Sequence, residues 1–182
     1  MKRSLKTDFL FALMSLLCQP VLAEYPGNSI YQLDSTWLTQ DSQSMSLREL
    51  AGNKIILSMT YTSCQHTCPT IVSNMQAIEN QLSTAEREKV KFVLVSLMPT
   101  TDSPDVLKAY EEKRGLDGWL LLSGSDEDVR TLAMVLDVKY QPAGEAEISH
   151  SNLITILDTQ GRIGHKIQGT SLNLNSAVEY LR

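Results

Sequence analysis

Short apolar runs alternate along this chain with segments whose apolar residues recur three or four positions apart. Apolar runs that are rich in β-branched residues and flanked by polar segments are typical of strands buried on both faces of a sheet. Four such runs predict central strands at residues 54–61, 90–98, 119–122 and 153–157. A weaker pattern at residues 30–39 predicts two further short strands, which would form an N-terminal β-hairpin extension.

The segments between these strands have helical periodicity. Apolar residues spaced four, three and four positions apart predict a first helix, which we expect to begin at Pro69 because proline is favoured at the first helical position. Serine is a good N-cap residue, so two further helices are expected to start after Ser103 and after Ser125. A last helix is predicted at residues 172–181.

The order of these elements predicts the fold class. A polar turn at residues 158–161 separates the fourth central strand from an apolar segment at residues 162–167, which indicates a β-hairpin. Strands alternating with helices, followed by a hairpin and a helix, predict an α/β fold with a central mixed β-sheet flanked by helices.

Composition and charge narrow the functional classes. The chain has 182 residues, of which 42% are hydrophobic and 20% charged, as expected for one globular domain. The formal charge is -5 and no run is rich in Lys and Arg. Because a nucleic-acid binder needs a basic surface to neutralise phosphates, we do not expect a nucleic-acid partner.

Residues 1–23 have the features of a secretory signal peptide. Basic residues precede an apolar stretch at residues 9–17, which is shorter than the roughly 20 residues of a membrane-spanning helix. We expect cleavage after Ala23, which would leave one exported domain at residues 24–182, with charge -7, in the bacterial periplasm. An uncleaved membrane anchor is the alternative.

The mature domain would keep two cysteines, Cys64 and Cys68, four positions apart where the first central strand gives way to the first helix. A helical turn would separate their Cα atoms by about 6 Å, within the range of a disulfide. Pro69 should place Cys68 near the helix N-terminus, where unpaired N–H groups stabilise a thiolate. A static disulfide is the usual state of exported cysteines, but so short a loop would contribute little stability. We therefore favour a reversible redox pair or a metal site.

Three spaced segments resemble the Sco/SenC family, copper-handling proteins of cytochrome oxidase assembly. The segments are YTSCQHTCPT at residues 61–70, VLVSLMPTTDSPDVLKAY at residues 93–110 and SHSNLITILDTQGRI at residues 149–163. The resemblance covers roughly residues 30–168 and implies a thioredoxin-like fold. It also implies that Cys64, Cys68 and His150 are copper ligands.

These residue types suit copper. Two thiolates suit Cu(I), and an added imidazole accommodates Cu(II) as well. His150 follows a loop-like segment and precedes a predicted central strand, so it could overhang the cysteine turn. Without the resemblance, a lone histidine would be taken as an ordinary surface or core residue. We expect His66 to be exposed or an accessory ligand, and His165 to be structural or exposed.

The chain departs from the family at two positions. Typical members have an acidic residue before the proline that follows the Val-Ser strand, and another just before the histidine. Here those positions are Met98 and Ser149. A carboxylate beside His150 could accept its second N–H, and loss of such a partner often costs about 10 to 100-fold in metal affinity. Ser149→Asp is therefore expected to tighten copper binding.

Two functional hypotheses follow. In the first, the protein is a copper chaperone that passes copper to a cytochrome oxidase subunit or to another cuproenzyme. In the second, it is a thiol-disulfide oxidoreductase that acts on the cysteines of a copper-protein partner through a mixed disulfide. His150 would be dispensable in the second. A peroxidase is not expected, because no arginine lies within the motif to activate a thiolate.

Overall fold

The structure is a computed structural model that describes residues 25–64, 67–143, 147–169 and 173–182. The segment predicted to be a signal peptide, residues 1–23, lies outside these ranges. Within them, no helix combines the length and the apolar character that crossing a membrane requires.

The described residues form nine strands and five α-helices. The strands are β1 (Trp37–Thr39), β2 (Ser44–Met45), β3 (Lys54–Thr60), β4 (Val90–Ser96), β5 (Leu120–Ser123), β6 (Tyr140–Pro142), β7 (Ile148–His150), β8 (Leu153–Leu157) and β9 (Ile163–Gln168). The helices are α1 (Thr67–Glu79), α2 (Thr84–Arg87), α3 (Pro104–Arg114), α4 (Asp126–Leu136) and α5 (Leu174–Leu181).

The central sheet has seven strands in the order β2-β1-β5-β4-β3-β8-β9. Strands β3, β4 and β5 are parallel, whereas β8 runs antiparallel to β3 and β9 antiparallel to β8. The pairing of Ser58 with Ile154 sets the start of β8 beside the carboxyl end of β3. The predicted mixed sheet is therefore confirmed, and its register brings residues from distant parts of the chain to one edge.

Two hydrophobic cores fill the two faces of this sheet. Side chains alternate along a strand, so Leu57 and Met59 face one core while Ile56 faces the other. The first core contains Trp37 and the apolar face of α4, and the second receives α1, α3 and α5. The four apolar runs of the sequence are strands because both of their faces are covered.

The helix starts predicted from serines are confirmed. The Ser103 hydroxyl accepts a hydrogen bond from the Val106 N–H at 3.5 Å, and the Ser125 hydroxyl accepts one from the Asp128 N–H at 3.0 Å. Each hydroxyl satisfies a donor that has no partner within its helix. At the other end of α3, Gly115 adopts the left-handed conformation, with a φ of 62°.

Two predicted boundaries are wrong. Residues 30–32 form a 3₁₀ turn capped by Ser29 rather than a strand, and the N-terminal hairpin instead pairs β1 with β2. Helix α1 begins at Thr67, so Pro69 is its third residue. Proline is tolerated there because the first four N–H groups of a helix have no intrahelical partner.

The segment expected to be a loop before His150 contains a second, two-stranded sheet. Strand β6 pairs antiparallel with β7, with Tyr140 opposite His150 and Gln141 opposite Ser149. The backbones of Lys139 and Ser151 continue this pairing at its base through a 2.8 Å hydrogen bond. His150 is thus the last residue of a hairpin arm that precedes β8.

Candidate metal centre

Three predicted site residues meet at the carboxyl end of β3. Cys64 lies in the loop after β3, Cys68 is the second residue of α1, and His150 ends β7. Their two sulfur atoms and one ring nitrogen lie within 4.8 Å of one another. Because β8 starts beside the end of β3, the hairpin arm before β8 carries His150 over the cysteine turn.

Cys68 is the centre of this cluster. Its side chain is fully buried, and its Sγ lies 3.0 Å from Nε2 of His150. Its backbone N–H donates to Sγ of Cys64 at 3.5 Å, so the Cys64 sulfur caps one of the unpaired donors at the start of α1. No disulfide joins these two cysteines in this structure.

The tautomer of His150 follows from its second hydrogen bond. Nδ1 lies 3.0 Å from the carbonyl oxygen of Ser151, and a carbonyl can only accept, so Nδ1 carries the proton. Nε2 then presents its lone pair to the Cys68 sulfur. A backbone carbonyl in this position is the kind of acceptor that fixes the ring orientation of metal-binding histidines.

Ser149 does not have the role that the sequence suggested. It is exposed, whereas its neighbours Ile148 and His150 are half-buried on the other face of β7. Side chains alternate across a strand, so a carboxylate at position 149 would point away from the His150 ring. The expectation that this position could orient His150 is therefore wrong.

Tyr61 holds the hairpin arm over the cysteines. Its hydroxyl donates to the carbonyl oxygen of Ile148 at 3.2 Å and accepts from the N–H of the same residue at 3.3 Å. Its ring meets the His150 ring edge to face, with 5.9 Å between centroids. The sequence motif contains Tyr61, but nothing in its local pattern indicates a contact with a residue 87 positions away.

Asp102 fixes the loop that leads to Cys64. This buried carboxylate accepts hydrogen bonds from the Thr62 hydroxyl at 2.6 Å, the Thr62 N–H at 3.1 Å and the Ser96 hydroxyl at 2.6 Å. It therefore joins the end of β4 to the residues immediately after β3. Sequence reasoning missed this role, for which the only local signal is an acidic residue just before the Ser-Pro start of α3.

Burial governs the protonation of the cluster. Burial, and next the hydrogen bond with Cys64, raise the pKa of the Cys68 thiol far above its usual range. Burial also raises the pKa of Tyr61 and lowers the pKa of His150. At Cys68 desolvation therefore outweighs the stabilisation that the helix N-terminus offers to a thiolate. All three groups are neutral near pH 7.

The chain has two other histidines, His66 and His165. His165 lies on β9, where its Nε2 is 3.2 Å from the Ser176 hydroxyl and its ring stacks on Tyr180. That confirms its structural role. His66 lies outside the described residues.

One side of the site faces solvent through the hairpin arm. His150 lines a surface pocket formed by the two strands of the arm and by the residues at its base. The other residues that line it are Lys139, Tyr140, Gln141, Ser149 and Ser151. Both cysteines are buried, and neither lines this pocket. Of the three residues, His150 is therefore the most exposed.

Comparisons with known proteins agree with these observations. A family model described as SCO1/SenC matches residues 25–182. A candidate copper-binding protein of Stutzerimonas stutzeri is 32% identical over 131 residues, which are 69% of this chain and 64% of that protein. The chain covers less than two thirds of the length of the curated relatives it matches.

Solved structures are similar over most of the chain. A candidate electron transfer protein of Aquifex aeolicus has a TM-score of 0.77 and 25% identity, covering 85% of this chain and 92% of that one. Arabidopsis thaliana ScoI with copper bound has a TM-score of 0.69 at 18% identity, covering 81% and 92% of the two chains, and shows likeness of fold alone. The predicted thioredoxin-like fold is confirmed.

Proposed function

This chain belongs to the SCO1/SenC family, and on that basis we propose that it binds copper and delivers it to a cytochrome oxidase subunit or to another cuproenzyme. The ligands in this proposal are Cys64, Cys68 and His150. The observation that carries it is the convergence of two thiols and one imidazole within 4.8 Å. The candidate copper-binding relative supports the choice of metal.

The donor set fits copper better than it fits hard cations. Thiolates are soft ligands that select Cu(I), imidazole suits Cu(II) as well, and Mg²⁺ or Ca²⁺ require oxygen ligands. Among the described residues, one group of cysteine, histidine or acidic side chains lies close enough together to hold a metal ion. It consists of Cys64, Cys68 and His150 and contains no carboxylate. Two oxidation states of copper can therefore be held by one set of ligands.

The protein prepares its ligands before copper arrives. His150 is neutral and its Nε2 already faces the cluster, because its Nδ1–H donates a hydrogen bond to the Ser151 carbonyl oxygen. The cysteine thiols must lose their protons when they bind a metal, so copper binding is coupled to proton release. The positive charge of the metal then offsets the cost of holding thiolates in a buried position.

We propose an exported location for this activity. The support is the sequence of residues 1–23, with its basic start, short apolar stretch and cleavage pattern ending at Ala23. The mature protein would then be the single domain at residues 24–182 in the bacterial periplasm. An uncleaved anchor would keep the same domain at the membrane surface.

Thiol-disulfide exchange with a copper-protein partner is a second candidate function. The proximity of the two cysteine sulfur atoms favours it. Oxidation of Cys64 and Cys68 to a disulfide would reduce a disulfide of the partner to two thiols, by way of a mixed disulfide. Burial of Cys68 argues that Cys64, which is nearer the surface, would make the first attack. Such exchange would make the protein an oxidoreductase as well as a chaperone.

Metal titration of the reduced protein tests the copper proposal. One equivalent of Cu(II) is expected to give a 1:1 complex with thiolate-to-Cu(II) charge-transfer absorption, and Cys64→Ser and Cys68→Ser should each abolish that band. His165→Ala is the matched control and should leave it unchanged. A reduced, folded protein that gives no such complex would contradict copper binding at this site.

A further inference from the structure

A methionine side chain packs against the group that contains the two cysteines. Tyr61, Cys64 and Cys68 form a small buried group at the end of the main sheet, and Met98 packs against it together with Ile148. Met98 is half-buried and follows β4 by two residues. Strand β4 is the parallel neighbour of β3, so the two loops that leave these strands lie at the same edge.

The backbone of Met98 is held in a tight turn. Its N–H donates to the Ser96 hydroxyl at 2.9 Å, and its carbonyl oxygen accepts from the N–H groups of Thr101 and Asp102 at 3.0 and 2.9 Å. Ser96 and Asp102 also belong to the network that holds Thr62, near Cys64. One hydrogen-bonded unit therefore fixes the position of Met98 relative to the cysteine turn.

The thioether of methionine is a soft donor that suits Cu(I) and has no charge to attract hard cations. From this placement we infer that Met98 is a fourth ligand of the site and that Cu(I) is the form of copper the protein carries. The inference rests on the proposed copper binding. Two thiolates, one thioether and one imidazole would surround the metal with three sulfur atoms and one nitrogen.

This ligand would bias the oxidation state of bound copper. A thioether stabilises Cu(I) relative to Cu(II), so Met98 should raise the reduction potential of the complex above that of a site with two thiolates and one imidazole. A carboxylate at the same position would have the opposite effect, because it is a harder, anionic donor. The identity of residue 98 therefore decides which oxidation state the same Cys and His ligands hold more tightly.

Met98→Leu isolates the sulfur atom, since leucine conserves the volume and the apolar character of the side chain. The full chain would be loaded with Cu(I) under anaerobic conditions and examined by X-ray absorption at the copper edge. We expect three sulfur ligands in the wild type and two in the variant. Met134→Leu, at an exposed methionine of α4, is the matched control and should keep three.

Competition with a Cu(I) chelator gives a second readout. Met98→Leu should weaken Cu(I) binding by at least about tenfold, because even the loss of a hydrogen-bond partner of a ligand lowers metal affinity by about that factor or more. The affinity for Cu(II) should stay nearly unchanged. A tenfold loss for Cu(I) alone lowers the reduction potential of the complex by about 59 mV. Met98→Asp should lower the potential further.

The outcomes separate this inference from the function on which it rests. Two results together would show that Met98 only covers the cluster: two sulfur ligands in the wild-type complex, and a Cu(I) affinity in Met98→Leu equal to that of the wild type. Copper binding by Cys64, Cys68 and His150 would then stand. Failure of the reduced wild type to form any 1:1 copper complex would overturn both. A fall in affinity in Met134→Leu equal to that in Met98→Leu would also overturn the ligand role.

Discussion

The hydroxyl of Tyr61 forms hydrogen bonds with both the N–H and the carbonyl oxygen of Ile148, at 3.3 and 3.2 Å. Tyr61 follows β3 in the main sheet, whereas Ile148 begins the strand that ends at His150. This single side chain therefore connects the part of the molecule that holds the cysteines with the part that holds the histidine.

Tyr61→Phe removes both hydrogen bonds and keeps the ring. We expect copper affinity to fall by about 10 to 100-fold, as for other groups that orient a ligand, because the arm would hold His150 less firmly. Titration with a competing chelator measures the change. Tyr180→Phe, which alters a tyrosine packed beside His165, is the control. Unchanged affinity in Tyr61→Phe would mean that the arm keeps its position without this residue.

His150→Ala distinguishes the two proposed functions. A copper carrier loses its only nitrogen ligand and should lose most of its Cu(II) affinity. An oxidoreductase should exchange disulfides nearly as before, because both thiols remain. The measurements are Cu(II) affinity and the rate of disulfide exchange with a model substrate, with His165→Ala as the matched control. Retained Cu(II) affinity in His150→Ala would contradict the proposed ligand set.

Asp102→Asn tests the network beneath the cysteine loop. The carboxylate accepts three hydrogen bonds in a buried position, and an amide replaces one of its acceptor oxygens with a donor. We expect a loss of about 1–3 kcal/mol in the free energy of unfolding, the cost of an unsatisfied buried group. Denaturant unfolding measures it. Asp117→Asn, at an exposed turn, should stay within about 0.5 kcal/mol of the wild type.

Ser149→Asp should leave copper affinity within about twofold of the wild type, well short of the effect of an orienting partner. The reason is geometric: Ser149 is exposed, and the Ser151 carbonyl already accepts the Nδ1 proton of His150. Competition with a chelator at fixed pH checks this. A tenfold gain would mean that the hairpin arm rearranges to bring the new carboxylate to the ring.

Asp158 predicts a pH dependence of stability in the turn between β8 and β9. Burial raises the pKa of this carboxyl, but hydrogen bonds from Arg162 and Gln160 outweigh it and hold the pKa below its usual 3.8. The unfolded chain therefore takes up this proton more readily in acid. The stabilisation is complete above pH 3.8 and is lost as the pH falls below that value through the folded pKa.

Asp158→Asn should accordingly be less stable than the wild type at pH 7, by about 1 kcal/mol for the lost hydrogen bonds. The difference should shrink toward pH 3. Denaturant midpoints at the two pH values measure it, with Asp117→Asn as control. A difference that stays constant with pH would mean that the carboxylate charge at Asp158 makes no contribution.

Local patterns predicted the parts of this fold that depend on local physics. The central strands and the helices after Ser103 and Ser125 follow from apolar periodicity and N-cap chemistry, and both were confirmed. The 3₁₀ turn at residues 30–32 was missed because consecutive buried residues there resemble a strand. The hairpin arm was missed because its strands are three residues long and mostly polar.

The site, like the fold, has residues that local sequence patterns predict and residues that they do not. Cys64 and Cys68 can be found from their spacing, and His150 was found only through the family resemblance. Contacts across 40 and 87 positions, from Asp102 to Thr62 and from Tyr61 to Ile148, leave no periodic trace in the sequence. These contacts depend on which strands end side by side at one edge of the sheet. The order of the strands in the whole fold determines that arrangement.

The separation of the arm from the main sheet predicts different local stabilities for the proposed sulfur and nitrogen ligands. The cysteine turn is built on strands with both faces buried, whereas β6 and β7 pair only with each other and are partly exposed. Hydrogen exchange should therefore be faster in the arm than in β3. If the arm opens locally, the imidazole would leave the cluster while both thiols stay in place, and the proposed ligands would be released one at a time.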